Sequence, residues 1–326
     1  MSEQEEPPNQ RRTATRPSTR PLMQAVAFAT VYLIWGSTYL GIRVAVRTIP
    51  PFLMSGCRYL LAGGVLFAAL RATGVAAPTL AQWLRSGLAG VVMLAVGNGL
   101  VTWAEQKVAS NFAALLISAV PLYVALLEWL RPRGSRPPAH QLAGILVGAA
   151  GMAVLVWPDP HALAAPSAAG IVAVLISGFA WAAGTLYARY SPHHPNAVMA
   201  AAQQMIAGAV ALLVIGLVRG EAGPGALSAV TWSSFLAFLY LAIFGSLVAF
   251  SAFGWLITVS TPARLSTTAF VNPVVAVILG WALLGETLAS RALAGAILIV
   301  CAVVVMTVGL APLRWLARYR YTAPPE

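Results

Sequence analysis

The chain has 326 residues, 59% of them hydrophobic and 9% charged, with a mean hydropathy of +0.80. So much apolar surface cannot be hidden in one water-soluble core, and a bilayer must serve as the solvent. The formal charge of +11 sits in short segments between apolar runs, where it sets orientation rather than attracting nucleic acid.

Residues 1–21 are polar, without periodicity, and pass from Glu3, Glu5 and Glu6 to Arg11, Arg12, Arg16 and Arg20. They read as a disordered cytoplasmic tail. The apolar run that follows lacks a small-residue cleavage site, so it is a retained helix rather than a signal peptide. About 20 apolar residues cross the ~30 Å hydrocarbon layer, and the pattern predicts spans at 22–42, 52–70, 84–104, 110–130, 141–157, 169–188, 197–218, 231–257, 264–285 and 291–311. Breakers such as Ile49-Pro50-Pro51, Arg136-Pro137-Pro138 and Gly223-Pro224-Gly225 separate them. Every loop is short, and residues 312–326 form a basic cytoplasmic tail. The expected class is an all-α membrane protein.

Two offsets relate the halves, 22–157 and 169–311. Trp35 and Arg43 recur 146 residues on as Trp181 and Arg189, while Pro121 and Trp129 recur 152 residues on as Pro273 and Trp281. Five spans per half is an odd number, so the second copy enters the membrane upside down. Positive charge agrees. With the N-terminus inside, Arg11, Arg12, Arg16, Arg20, Arg71, Arg85, Arg131, Arg133, Arg136, Arg189, Arg264, Arg314, Arg318 and Arg320 lie on the inner side, whereas Arg43, Arg47, Lys107, Arg219 and Arg291 lie outside. Positively charged segments are retained in the cytoplasm, which places both termini there. Inverted repeats are how many secondary transporters build two similar gates around one central site.

Leu33-Ile34-Trp35-Gly36-Ser37-Thr38, Arg58-Tyr59-Leu60-Leu61-Ala62-Gly63, the Pro121 and Pro273 segments and Leu284-Gly285-Glu286 together resemble the EamA-type domains of the drug/metabolite transporter superfamily, over about residues 25–310. The resemblance implies two five-helix domains and export of amino acids and other small metabolites. Where the family often ends helix 4 in Gly-Glu, this chain has Arg131-Pro132-Arg133-Gly134.

Candidate site residues fall on repeated faces. Val31, Trp35, Tyr39 and Arg43 are four apart and correspond to Ser177, Trp181, Thr185 and Arg189, which puts each set on one side of a helix. They read either as a wall of the substrate pathway or as an interfacial aromatic belt. Asn98, Thr102 and Glu105 share another face, as pathway lining or as interhelical hydrogen bonding. Tyr123 and Asn272 stand beside the prolines Pro121 and Pro273, which serve as hinges or static kinks. Glu105 and Arg58 are the candidate coupling pair, or a structural ion pair. Gln204 falls opposite Arg58 at the offset of 146, and Gln203 opposite Cys57. Glu128 and Arg131 form an i, i+3 pair, and Gly144, Gly148 and Gly151 form a packing stripe.

Cys57 and Cys301 match no metal-ligand spacing, the four histidines fall in loops or at helix ends, and no nucleotide loop is present. No metal, cofactor, catalytic group or nucleic-acid partner is expected. Nineteen arginines against one lysine point to a bacterium and hence to its inner membrane. The leading expectation is a secondary exporter of small neutral or zwitterionic amphipathic metabolites. An uptake permease, a lipid-like flippase and a non-transporting scaffold are the alternatives.

Overall fold

The computed structural model describes residues 20–132, 134, 138–156, 167–226, 228–284 and 290–308. Residues 1–19 and 312–326 of the predicted tails, and the loop that carries His161, lie outside them, whereas residues 20 and 21 open the first helix. The described residues form helices α1 Arg20–Ala45, α2 Pro51–Ala72, α3 Leu80–Ala104, α4 Ser110–Ile117, α5 Val120–Leu130, α6 Ala139–Val156, α7 Ala168–Tyr190, α8 Ala197–Val218, α9 Trp232–Val259, α10 Pro262–Ser266, α11 Thr268–Leu284 and α12 Ser290–Val308. Among the described residues seven stretches are long and apolar enough to cross a membrane, and the remaining predicted spans overlap α6, α11 and α12.

Local chemistry starts these helices where the breakers predicted. Pro51 opens α2, where its missing N–H costs nothing. Thr79 forms a capping box with Gln82 at the start of α3, and Thr231, 152 residues on, caps α9 by accepting from the Ser234 N–H. Asn196 caps α8 by accepting from the Val198 and Met199 N–H groups.

Helix pairing is unchanged when the two halves are exchanged. The self-corresponding pairs α2–α8 and α6–α12 pack against each other; α1 packs on α9 and α11, as α7 packs on α3, α4 and α5. The axis between halves therefore runs through a core where elements of both repeats meet. Close approach at that core depends on glycine: a Cβ on Gly90 of α3 would stand 2.1 Å from the Gln204 carbonyl oxygen of α8. Gly148, in the predicted stripe, faces Leu122 and Ala302, so it lets α6 approach α12.

Two features were not legible in hydropathy. Residues Val91–Asn98 of α3 and Leu241–Phe250 of α9 are wound as π-helix, and their last residues are 152 apart. Such segments displace backbone carbonyls from the α ladder and occur frequently at functional sites. In addition, the fourth predicted span is broken at Ser118–Ala119, so that Pro121 stands in the first turn of α5. Pro273 lies inside the continuous α11 instead, and in its half the break falls at Thr267, between α10 and α11. The two prolines thus occupy different backbone settings despite their equal spacing.

Candidate functional site

Where the halves meet, residues of both line a partly open cavity. Its wall includes Trp35, Thr38, Tyr39 and Ile42 of α1, Arg58 and Tyr59 of α2, Asn98 of α3, Ser177 and Trp181 of α7, Phe250 of α9 and Asn272 of α11. Trp35 and Trp181, the pair related by the 146 offset, touch edge to face with centroids 5.2 Å apart. Phe253 packs on both, at 4.8 and 5.7 Å, and Phe250 lies 6.4 Å from each. Such a cluster is rigid, apolar and flat-faced.

The π segments hold these walls in place. Trp35 Nε1 donates to the Gly245 carbonyl of α9 at 3.1 Å, and the Ser177 hydroxyl donates to the Gly97 carbonyl of α3 at 2.6 Å. Each contact joins the first helix of one repeat to the third helix of the other. Beyond the aromatic cluster lies a second, smaller cavity, walled by Thr185, Val124, Phe253 and Leu265. The two share Val120, Trp181 and Thr268.

Arg58 is 2% exposed and carries the charge of the larger cavity's wall. Its Nη2 donates to Asn98 Oδ1 at 2.6 Å and to the Tyr59 hydroxyl at 2.8 Å, and the guanidinium sits 4.4 Å from the Tyr59 ring centroid. An amide and a phenol hold this cation, in place of the expected pairing with Glu105. Glu105 is fully buried, and its backbone carbonyl accepts from Arg43 Nη1, which also donates to the Val108 carbonyl at 3.2 Å.

The other candidates separate. Tyr39, Asn98 and Asn272 join Trp35 and Trp181 around the cavity. Thr102 lies behind the wall, donating to the Asn98 carbonyl at 2.9 Å and accepting from Ser55 of α2 at 3.1 Å. Thr185 belongs to the smaller cavity. Tyr123 packs edge-on against Phe179, with centroids 5.8 Å apart, away from the larger cavity's wall. Gln204 is buried in the α3–α8 contact. Glu128 and Arg131 pair at 3.0 Å, and the Tyr190 hydroxyl of α7 donates to the same carboxylate.

Sequence reasoning missed Thr38, Tyr59, Phe250 and Phe253. Thr38 lies three residues after Trp35 and could have been found by helical spacing; the phenylalanines are apolar residues in apolar helices and carry no such signal. Missed as well was Glu221, whose Oε2 accepts from the Phe52 and Leu53 N–H groups at 3.0 Å each. It caps α2 from the end of α8.

Among known proteins, the profile of the EamA-like transporter family matches residues 22–157 and 168–308. The chain belongs to the EamA-like transporter family. Similar to it is the uncharacterized inner membrane transporter YedA of Escherichia coli K12, 39% identical over 87% of this chain and 90% of that one. The probable amino-acid metabolite efflux pump of Salmonella typhimurium is 25% identical over 86% and 93% of the two chains. A solved crystal structure, 20% identical, covers 89% of this chain and 98% of its own with a TM-score of 0.64, a likeness of fold. The protein is a multi-pass membrane transporter of this family.

Proposed function

We propose that the protein is a secondary transporter of the bacterial inner membrane that exports small neutral or zwitterionic amphipathic metabolites, amino acids first among them. In this reading ten spans form two inverted repeats with both termini in the cytoplasm. The observation that carries it is the contact of Trp35 with Trp181: equivalent positions of the two copies meet at one cavity, as a shared central site requires. The name of the Salmonella relative favours amino-acid metabolites as the first class to test.

Alternating access then has a physical basis. Under the orientation drawn from positive charge, the larger cavity lies toward the outer face, where Ile42 and Val101 stand, and the rings of Trp181, Phe250 and Phe253 close it on the cytoplasmic side. Rocking one repeat against the other opens that septum toward the smaller cavity around Thr185. The bonds from Trp35 to Gly245 and from Ser177 to Gly97 cross between the repeats and latch them while the septum is closed.

The test is flux in sealed proteoliposomes. A panel of radiolabelled amino acids and neutral metabolites, with and without a pH gradient, is expected to give saturable movement of at least one zwitterion. Trp35→Ala and Trp181→Ala are expected to abolish that movement while the protein stays folded. Normal flux in both folded variants contradicts the site.

A further inference from the structure

The cavity's polar groups are unevenly matched, and the mismatch specifies a ligand. Arg58 lies on the wall with its charge held by neutral groups, Asn98 and Tyr59, and its Nε has no hydrogen-bond partner. Among the described wall residues there is no Asp or Glu. A buried guanidinium that meets only neutral acceptors favours an anion beside it.

The groups that could seat an ammonium are all neutral. The Gly97 and Gly245 carbonyls of the π segments accept from Ser177 and Trp35. The Thr38 and Thr268 hydroxyls donate to the carbonyls of Trp35 and Leu265. Asn272 Oδ1, in a residue 5% exposed, has no hydrogen-bond partner, and together with the lone pairs of those hydroxyls it offers neutral acceptors suited to a hydroxyl or amide N–H as well as to an amine.

Resting on the transport reading above and narrowing it, we propose that the cavity recognises its solutes by a carboxylate docked on Arg58, with a flat apolar body against Trp35 and Trp181, and that an amine on the solute is not required. The substrates are then small organic acids as a class, with amino acids accepted through their carboxylates.

Equilibrium binding to the purified full chain, with four radiolabelled probes that share one ring, separates these contributions: 3-phenylpropionate, 3-phenylpropionamide, phenylalanine and phenethylamine. The wild-type protein is expected to bind the two carboxylates at least about tenfold more tightly than the amide or the amine. In Arg58→Gln the ratio of acid to amide falls to within about twofold, and Arg58→Lys keeps part of it. If the amide or the amine binds as well as the acid to the wild type, carboxylate recognition is overturned while a transport site stands. If none of the four binds, carboxylate recognition is overturned, and the flux panel decides the transport reading separately. The wild-type comparison decides the question even where an Arg58 variant does not fold.

Discussion

Arg189 donates from Nη1 to the carbonyl oxygen of Ile257 at 2.6 Å, and also reaches the Ser260 carbonyl. Arg43 makes the same pair of contacts with Glu105 and Val108. The arginines are 146 residues apart, and both pairs of carbonyls are 152 apart, so each repeat fastens the C-terminal end of its third helix to the end of its first. Cations are favoured at helix C-termini because they satisfy the last free carbonyls and complement the dipole. A hydrogen bond from a charged group contributes about 1.5–3 kcal/mol. Arg43→Ala and Arg189→Ala are each expected to lower the melting temperature in detergent, with Lys restoring part. Unchanged melting in both means that the clasp is ornamental.

The tryptophan pair predicts coupling. An edge-to-face aromatic pair contributes about 0.5–1.5 kcal/mol beyond its burial, so a double-mutant cycle on Trp35→Leu and Trp181→Leu should return an interaction energy of that order. Additive effects on stability would mean that the rings only share a neighbourhood.

Glu221 predicts a pH dependence. Burial pushes its carboxyl above the ordinary glutamate range, against the pull of the Leu53 and Phe52 N–H groups and of Arg219. Because the folded value is raised, its contribution to stability is full below the ordinary glutamate pKa and is lost as pH rises through the raised value. Glu221→Gln keeps an acceptor for the two N–H groups and cannot ionise. Between pH ~4 and ~7 the wild-type melting temperature should therefore fall relative to that of the variant. A constant difference across that interval contradicts the burial effect.

Gly90 predicts a steric penalty. Its missing Cβ would meet the Gln204 backbone oxygen, which no rotamer change can move aside. Gly90→Val is expected to destabilise the fold by about 1–3 kcal/mol, while Gly64→Ala, where a Cβ meets nothing within 4 Å, should change little. Equal melting of the two variants contradicts the close α3–α8 approach.

Much of the fold could be read from residues because hydropathy, caps and repeat spacing act locally. Thr79, Thr231 and Pro51 mark helix starts whatever surrounds them. The Trp35 and Trp181 spacing marked equivalent positions because both copies retain it, and the two rings do meet. What stayed hidden depends on tertiary context. The π winding of α3 and α9 leaves no trace in apolar periodicity, and the partners of Arg58 are an amide forty residues away and its own neighbour, Tyr59. Thr102 and Asn98 share a helical face, yet one turn of helix separates a group at the cavity from one that ties α3 to α2.

The proposed alternating access requires the two copies to cross the bilayer in opposite senses. With Cys57 and Cys301 replaced by Ala, single cysteines introduced as Thr48→Cys, after α1, and Ser191→Cys, after α7, can be probed in intact cells with a membrane-impermeant maleimide. The Thr48 position should label from outside, and the Ser191 position only after the membrane is opened. Labelling of both from the same face contradicts an inverted repeat and, with it, the shared alternating-access site.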